Sequence, residues 1–121
     1  MKEYVLYRGD GVNYQTILQI ISKRYSEILS SNLVGIYIHA RIEILKNPVY
    51  IVLNLCRVNS YIKDKLILSK EQGGKWGLNN LPKQYYDIIA KALHCYKTRE
   101  SMVIVEKEAI SFCDYMLDLI F

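Results

Sequence analysis

The stretch NPVYIVLNLCRVNSYIKDKLILSKEQ, residues 47–72, decides the fold because a helix-start signal in it is followed by a long apolar segment. Asn47 is a residue type whose side chain accepts hydrogen bonds from the first N–H groups of a helix. Pro48 suits the first helical position because it has no N–H to leave unpaired. We therefore predict a helix over residues 49–64. It is apolar on most sides, which is typical of a helix at the centre of a bundle.

A second helix start follows within the same stretch. Ser69 and Gln72 form a capping-box pattern, in which each side chain bonds the other residue's backbone N–H. The helix that starts here carries three glycines, and each costs about 1 kcal/mol relative to alanine in a helix. Close approach of another helix or of a ligand would explain them, and we favour helix packing for Gly73, Gly74 and Gly77.

Three further segments read as helices from apolar residues that recur at spacings of three and four. They are residues 13–30, a segment that begins at Leu81-Pro82, and residues 101–121. For the first, the apolar face comprises Tyr14, Ile17, Leu18, Ile21, Tyr25, Ile28 and Leu29. For the second, the predicted inner face is Tyr85, Ile88, Ile89, Ala92, Leu93 and Tyr96. For the last, it is Val105, Ala109, Phe112, Met116, Leu119 and Ile120.

Residues 33–39, between the first helix and the bundle, are β-branched and aromatic, so we predict a strand there. The fold class is therefore mainly α: a helical bundle of about four to five helices, with one short helix–strand unit at the N-terminal end.

The composition of the chain argues against several classes of protein, including membrane-spanning, exported and metal-binding ones. Hydrophobic residues make up 51% and charged residues 23% of the 121 residues, as in ordinary globular domains. No apolar run is long enough to span a membrane, and the N-terminus has no apolar signal core, so we expect a cytoplasmic protein with no membrane partner. The cysteines show no C-x-x-C spacing, so we expect buried, reduced thiols rather than metal ligands at Cys56, Cys95 and Cys113.

The net charge of +4 is unevenly distributed. Residues 57–99 contain nine Lys and Arg against three acids, whereas the segment from Glu100 contains five acids and one lysine. Such asymmetry suggests a mid-chain surface that attracts an anion such as a nucleotide phosphate. The alternative is a solvated helix surface against which the acidic tail folds back.

Residues 47–96 resemble the C-terminal helical domain of the aminoglycoside adenylyltransferases that modify streptomycin and spectinomycin. An apolar helix ending L-x-L-x-R is followed by S-K-x-x-G-x-x-W, by L-P-x-x-Y, and by a helix that ends near Tyr96. YQTILQIISKRYSEILSSNLVGIYIHA, residues 14–40, is similar to the opening helix and first strand of the family's nucleotidyltransferase domain. The resemblance therefore implies two units: residues 1–46 as a remnant of that domain and residues 47–121 as the helical bundle domain.

The catalytic motifs of the family are not found after this segment of the sequence. In the family, the strand leads into a Gly-Ser turn, an Asp-x-Asp pair on the next strand holds magnesium, and a later carboxylate acts as base. Here Ala40 and Arg41 follow His39, and the chain contains no Asp-x-Asp. We therefore expect a truncated family member with no catalytic residues, no magnesium site and no adenylyl transfer on its own.

By the same resemblance, Arg57 and Lys70 correspond to basic residues that face the nucleotide phosphates, and Tyr96 lies near the same pocket. These three are the expected ligand-binding residues, with weak affinity for ATP. An aminoglycoside is the other expected ligand, but the family's helical domain supplies acids for it from residues that are missing here.

The residues themselves give independent reasons and open alternatives. Asn54, Arg57 and Tyr61 form a polar stripe on an apolar helix, where an arginine needs an anion. Lys70 lies in a first helical turn, where the helix dipole disfavours a cation but attracts an anion. Alternatively, Arg57 pairs with the acidic tail, Lys70 is solvated, and Trp76 belongs to the core.

Two functions other than nucleotide binding are also compatible with the sequence. An unpaired strand at residues 33–39 would favour a homodimer in which the strands of two copies pair. Eleven tyrosines together with the basic segment are compatible with nucleic-acid binding, but the tyrosines lie mostly on inner helix faces, so we rank nucleic acid last.

Overall fold

The computed structural model describes residues 33–121, which form a bundle of five α-helices and contain no strand. The predicted mainly α bundle is therefore confirmed, whereas the predicted helix over residues 13–30 lies outside the described residues. The helices are α1 (Leu33–Lys46), α2 (Pro48–Asp64), α3 (Lys70–Asn80), α4 (Tyr86–Thr98) and α5 (Glu106–Ile120), with a 3₁₀ turn, Lys83–Tyr85, before α4.

Helix α2 is the centre of the bundle, as its apolar sequence predicts. It packs against all four other α-helices. Nine consecutive residues, 52–60, are buried, and they include polar side chains as well as apolar ones. Because this run covers more than two turns, every side of α2 is enclosed at its middle.

The predicted strand at residues 33–39 is wrong: these residues belong to helix α1. Tyr37, Ala40 and Ile44 pack on the core. Two polar contacts then tie α1 to α5, a hydrogen bond of 2.6 Å from the Tyr37 hydroxyl to Asp118 and an ion pair of 2.7 Å between Arg41 and Asp114. These tertiary contacts override the weak β-propensity of the sequence. The strand on which the predicted pairing of two copies relied is therefore a helix in this structure.

The junction of α1 and α2 corrects a second prediction. Asn47 occupies the cap position of α2, but its side chain makes no capping hydrogen bond. Its backbone joins the helices instead: its N–H donates to the Glu43 carbonyl at 2.8 Å, and its carbonyl accepts from the Ile51 N–H at 3.0 Å. Pro48 begins α2 as predicted.

Helix α3 confirms the predicted capping box and the predicted use of its glycines. The Ser69 side chain accepts from the Gln72 N–H at 3.0 Å, and the Gln72 side chain accepts from the Ser69 N–H at 3.1 Å. A Cβ atom on any of the three glycines would collide with a neighbouring helix. The nearest atoms would be Arg57 Cγ at 2.6 Å from position 73, Leu93 Cδ2 at 2.6 Å from position 74, and Cys56 Sγ at 2.8 Å from position 77.

The last helix begins later than predicted. It starts at Glu106, since residues 101–105 have no helical structure. Val105 and Leu119, both predicted to lie inside, are 58% and 45% exposed. The other predicted inner residues of α5 are buried: Ala109, Phe112, Met116 and Ile120.

The three cysteines are buried thiols, as predicted. Burial raises the pKa of Cys56 and of Cys113 to about 12, so neither is a reactive thiolate near neutral pH. Within residues 33–121, no helix has the length and apolar character needed to cross a membrane.

Candidate functional site

Arg57 is buried between α2 and the start of α3, with an exposed fraction of only 1%. Its Nε donates to the carbonyl of Leu68 at 2.7 Å, and its Nη1 lies 3.5 Å from the side-chain oxygen of Asn54. Leu68 is the residue before the Ser69 cap. The guanidinium group is therefore held beside the first turn of α3, and Gly73 leaves room for its aliphatic stem.

Lys70 is the first residue of α3 and is 3% exposed. Its ammonium nitrogen lies 4.2 Å from the centre of the Tyr50 ring and 5.6 Å from the centre of the Tyr96 ring. Both distances fall within the range of cation–π attraction. The alternative that Lys70 is a solvated surface lysine is therefore wrong.

The structure thus brings the three predicted ligand-binding residues to one place, where α2, α3 and the last turn of α4 meet. Arg57 and Lys70 put two cations at the end of α3 that already carries positive partial charge. Two cationic side chains beside a positive helix end make this place more favourable for an anion than for a cation.

The other two residues of the predicted polar stripe are Asn54 and Tyr61, and they have different surroundings. Asn54 is buried beside Arg57. Tyr61 contacts a different lysine: the ammonium nitrogen of Lys65 lies 5.7 Å from the centre of the Tyr61 ring. Trp76 is 8% exposed and donates to Asp64 at 2.8 Å, so it belongs to the core, as the alternative interpretation proposed.

Tyr50 is the residue of this site that the sequence analysis missed. It lies in the first turn of α2, four residues before Asn54 and seven before Arg57, and so shares their helix face. Tyr50 is 41% exposed, whereas Lys70, which lies against its ring, is buried. The Tyr50 ring therefore covers one side of the buried ammonium group.

Tyr50 also borders a groove with a volume of about 310 Å³. The groove lies between the α1–α2 junction and the segment after α4. Lys46 and Glu100 give it one charge of each sign. It is lined by Lys46, Asn47, Pro48, Val49, Tyr50, Glu100, Ser101 and Met102.

The carboxylates near the bundle surface mostly have defined partners. Asp114 and Asp118 of the acidic tail hold α1, through Arg41 and Tyr37. Glu71 lies 3.1 Å from Lys75 and 3.3 Å from Lys97, and hydrogen bonds from these two ammonium groups lower its pKa. Among the residues that the structure describes, no three His, Cys, Asp or Glu side chains are grouped so that they could hold a metal ion.

Comparison with known proteins identifies one family. The model of the family described as aminoglycoside adenylyltransferase, C-terminal domain, matches residues 15–118. No curated protein and no solved structure gives a significant match. The matched range includes the whole of the site described above. The division into residues 1–46 and 47–121 stays a prediction.

Proposed function

The chain belongs to the family of aminoglycoside adenylyltransferase C-terminal domains, and from this premise we propose that it supplies the helical side of an ATP-binding site. In this proposal the phosphates of ATP are bound at the start of α3 by Arg57 and Lys70, beside Tyr96. The observation that carries the proposal is the burial of both cations at one helix N-terminus.

The two cations have different roles in this proposal. Arg57 is held by its Nε bond to the Leu68 carbonyl. The guanidinium group of Arg57 is planar, and its N–H groups point in fixed directions. It can therefore donate to two phosphate oxygens at once. Lys70 acts as a point charge on a flexible stem. The Lys70 ammonium group already lies against two aromatic rings, so it can exchange ring contacts for phosphate contacts without a long movement.

Access to Lys70 requires the Tyr50 ring to move. Tyr50 is in the first turn of α2 and half exposed, so its ring can rotate toward solvent without disturbing the buried middle of that helix. In this proposal the nucleotide reaches the site from the groove that Tyr50 borders. Binding is expected to be weak, because part of the interaction energy is spent on this opening.

Adenylyl transfer by this chain alone is not part of the proposal. The sequence contains no Asp-x-Asp, and among residues 33–121 no three His, Cys, Asp or Glu side chains are grouped so that they could hold a metal ion. We propose that the chain is a truncated family member whose transfer activity would require a separate nucleotidyltransferase domain. An assay with labelled ATP and streptomycin or spectinomycin tests this: the purified chain should yield no AMP-drug product, and product formation would contradict it.

Calorimetric titration with ATP tests the binding proposal, and the chain offers a matched pair of variants. Lys70→Ala removes the buried ammonium group, whereas Lys75→Ala removes an exposed lysine of the same helix. We expect Lys70→Ala to weaken ATP binding by about tenfold or more, as for loss of a charge-assisted bond. Lys75→Ala should bind like the wild type. Equal affinities for all three proteins, or no heat with the wild type, would contradict the proposal.

A further inference from the structure

Glu71 connects the first turn of α3 to the last turn of α4. Its Oε2 atom lies 3.3 Å from the ammonium nitrogen of Lys97 in α4 and 3.1 Å from that of Lys75 in α3 itself. Hydrogen bonds from Lys75 and Lys97 lower the pKa of Glu71, so its carboxylate is charged at neutral pH. One carboxylate oxygen thus faces two cations, but only the contact with Lys97 joins two helices.

This bridge between Glu71 and Lys97 lies directly beside two residues of the candidate site. Glu71 follows Lys70 in the chain, and Lys97 follows Tyr96. The Lys70 ammonium nitrogen lies 5.6 Å from the centre of the Tyr96 ring. Lys70 is buried, whereas the side chains of Glu71 and Lys97 are 40% and 53% exposed. The same two helical turns are therefore joined twice, once inside the bundle and once at its surface.

Packing contributes little at the end of α4, because residues 97–101 are all exposed. Helix ends also open more readily than helix centres. The Thr98 hydroxyl donates to the His94 carbonyl at 2.9 Å, but this bond stays within α4. The bridge, by contrast, reaches α3, and it does so one residue after Tyr96. It is therefore well placed to hold the last turn of α4 against the first turn of α3.

We propose that Glu71 and Lys97 are positioning residues of the candidate site, and that their bridge keeps the Tyr96 ring against Lys70. Their effect on ATP rests on the proposed function, whereas their effect on the two helices does not. Neither residue is proposed to contact the phosphates. Because an exposed ion pair contributes little in water, we expect a graded effect on binding rather than its loss.

Calorimetric titration with ATP tests the effect on binding, and the two lysines around Glu71 provide a matched pair. Lys97→Gln and Lys75→Gln each remove one cation from the same carboxylate oxygen, but only Lys97→Gln breaks the bridge. We expect Lys97→Gln to weaken ATP binding about threefold and Lys75→Gln to bind like the wild type. Lys97→Arg keeps the charge and should restore the wild-type affinity. Equal affinities for Lys97→Gln and Lys75→Gln, or no recovery with Lys97→Arg, would overturn the proposal.

Glu71→Gln separates positioning from simple charge attraction. Loss of a negative charge near the site would by itself strengthen the binding of an anion such as ATP. The charge of Glu71 is partly exposed and screened by solvent, so we expect the loss of the bridge to outweigh this effect and ATP binding to weaken about twofold or more. Unchanged or stronger ATP binding by Glu71→Gln would overturn the proposal.

A second measurement needs no nucleotide. The rate at which acetic anhydride acetylates Lys70, followed by mass spectrometry, reports how well this buried amine is covered. We expect an increase of about threefold in Lys97→Gln and none in Lys75→Gln or Lys97→Arg. An equal rate in Lys97→Gln and the wild type would overturn the positioning role. If the wild type binds no ATP, the proposed function fails, and this rate alone decides whether Glu71 and Lys97 position Tyr96.

Discussion

Gly73 packs directly against the side chain of Arg57: a Cβ atom at position 73 would lie 2.6 Å from the Arg57 Cγ and 3.4 Å from its backbone nitrogen. The contact joins the architecture of the bundle to its candidate site. Helices α2 and α3 approach closely here, and the same approach holds the guanidinium group beside the first turn of α3.

Gly73→Ala should lower both stability and ATP affinity. Overpacking of a core contact costs about 1–3 kcal/mol, and the better helix propensity of alanine offsets about 1 kcal/mol of that. We expect a net loss of up to about 2 kcal/mol in the free energy of unfolding, measured by urea denaturation. Gly77→Ala is the control, because its Cβ would meet the terminal Sγ of Cys56 rather than the middle of a side chain. A larger loss for Gly77→Ala would contradict this account of the packing.

The capping box of α3 and the cap position of α2 should respond differently to alanine. Ser69→Ala removes the bond to the Gln72 N–H and should cost about 1 kcal/mol. Asn47→Ala removes a side chain that makes no capping bond, so its effect should stay within about 0.5 kcal/mol. Urea denaturation of the two variants beside the wild type measures the difference. An equal or greater loss for Asn47→Ala would show that its side chain caps α2 after all.

Tyr37 should make stability depend on alkaline pH. Burial, with the hydrogen bond to Asp118, raises the pKa of Tyr37 from 10.0 to about 12. Between these values the folded protein keeps a proton that the unfolded chain loses, so this contribution is complete below pH 10.0 and falls as the pH rises toward about 12. The stability advantage of the wild type over Tyr37→Phe should therefore shrink across this range.

Denaturation at a series of pH values measures that advantage, and Tyr86→Phe serves as the control because Tyr86 is 49% exposed at the start of α4. Near neutral pH, Tyr86→Phe should match the wild type in stability within about 0.5 kcal/mol, as for an exposed substitution. An advantage over Tyr37→Phe that stays constant up to pH 12 would contradict a raised pKa for Tyr37.

The sequence predicts the centre of this fold better than its beginning. Pro48, Ser69 and Gln72 are local signals with local consequences, so α2 and α3 begin close to where these residues place them. Residues 33–39 have strand-like composition, but contacts with Asp114 and Asp118, far along the chain, make them part of a helix. No local pattern contains that information.

The same distinction applies to the site. Arg57 and Lys70 stand out in the sequence because a cation on an apolar helix, or in a first helical turn, suggests an anion nearby. Tyr50 does not stand out, since it is one of eleven tyrosines and its role depends on the approach of α3 to α2. The exposed apolar side chains of α1, such as Val34 and Ile38, likewise can be placed on one face only once residues 33–46 are known to be helical.

The central claim is that Lys70 and its neighbours bind the phosphates of a nucleotide, and phosphorus NMR of ATP tests it most directly. Added wild-type protein should shift the phosphate signals, Lys75→Ala should shift them equally, and Lys70→Ala should leave them near their positions in ATP alone. A circular dichroism spectrum that matches the wild type would show that Lys70→Ala is folded. Phosphate shifts that are the same with Lys70→Ala as with the wild type would contradict the claim.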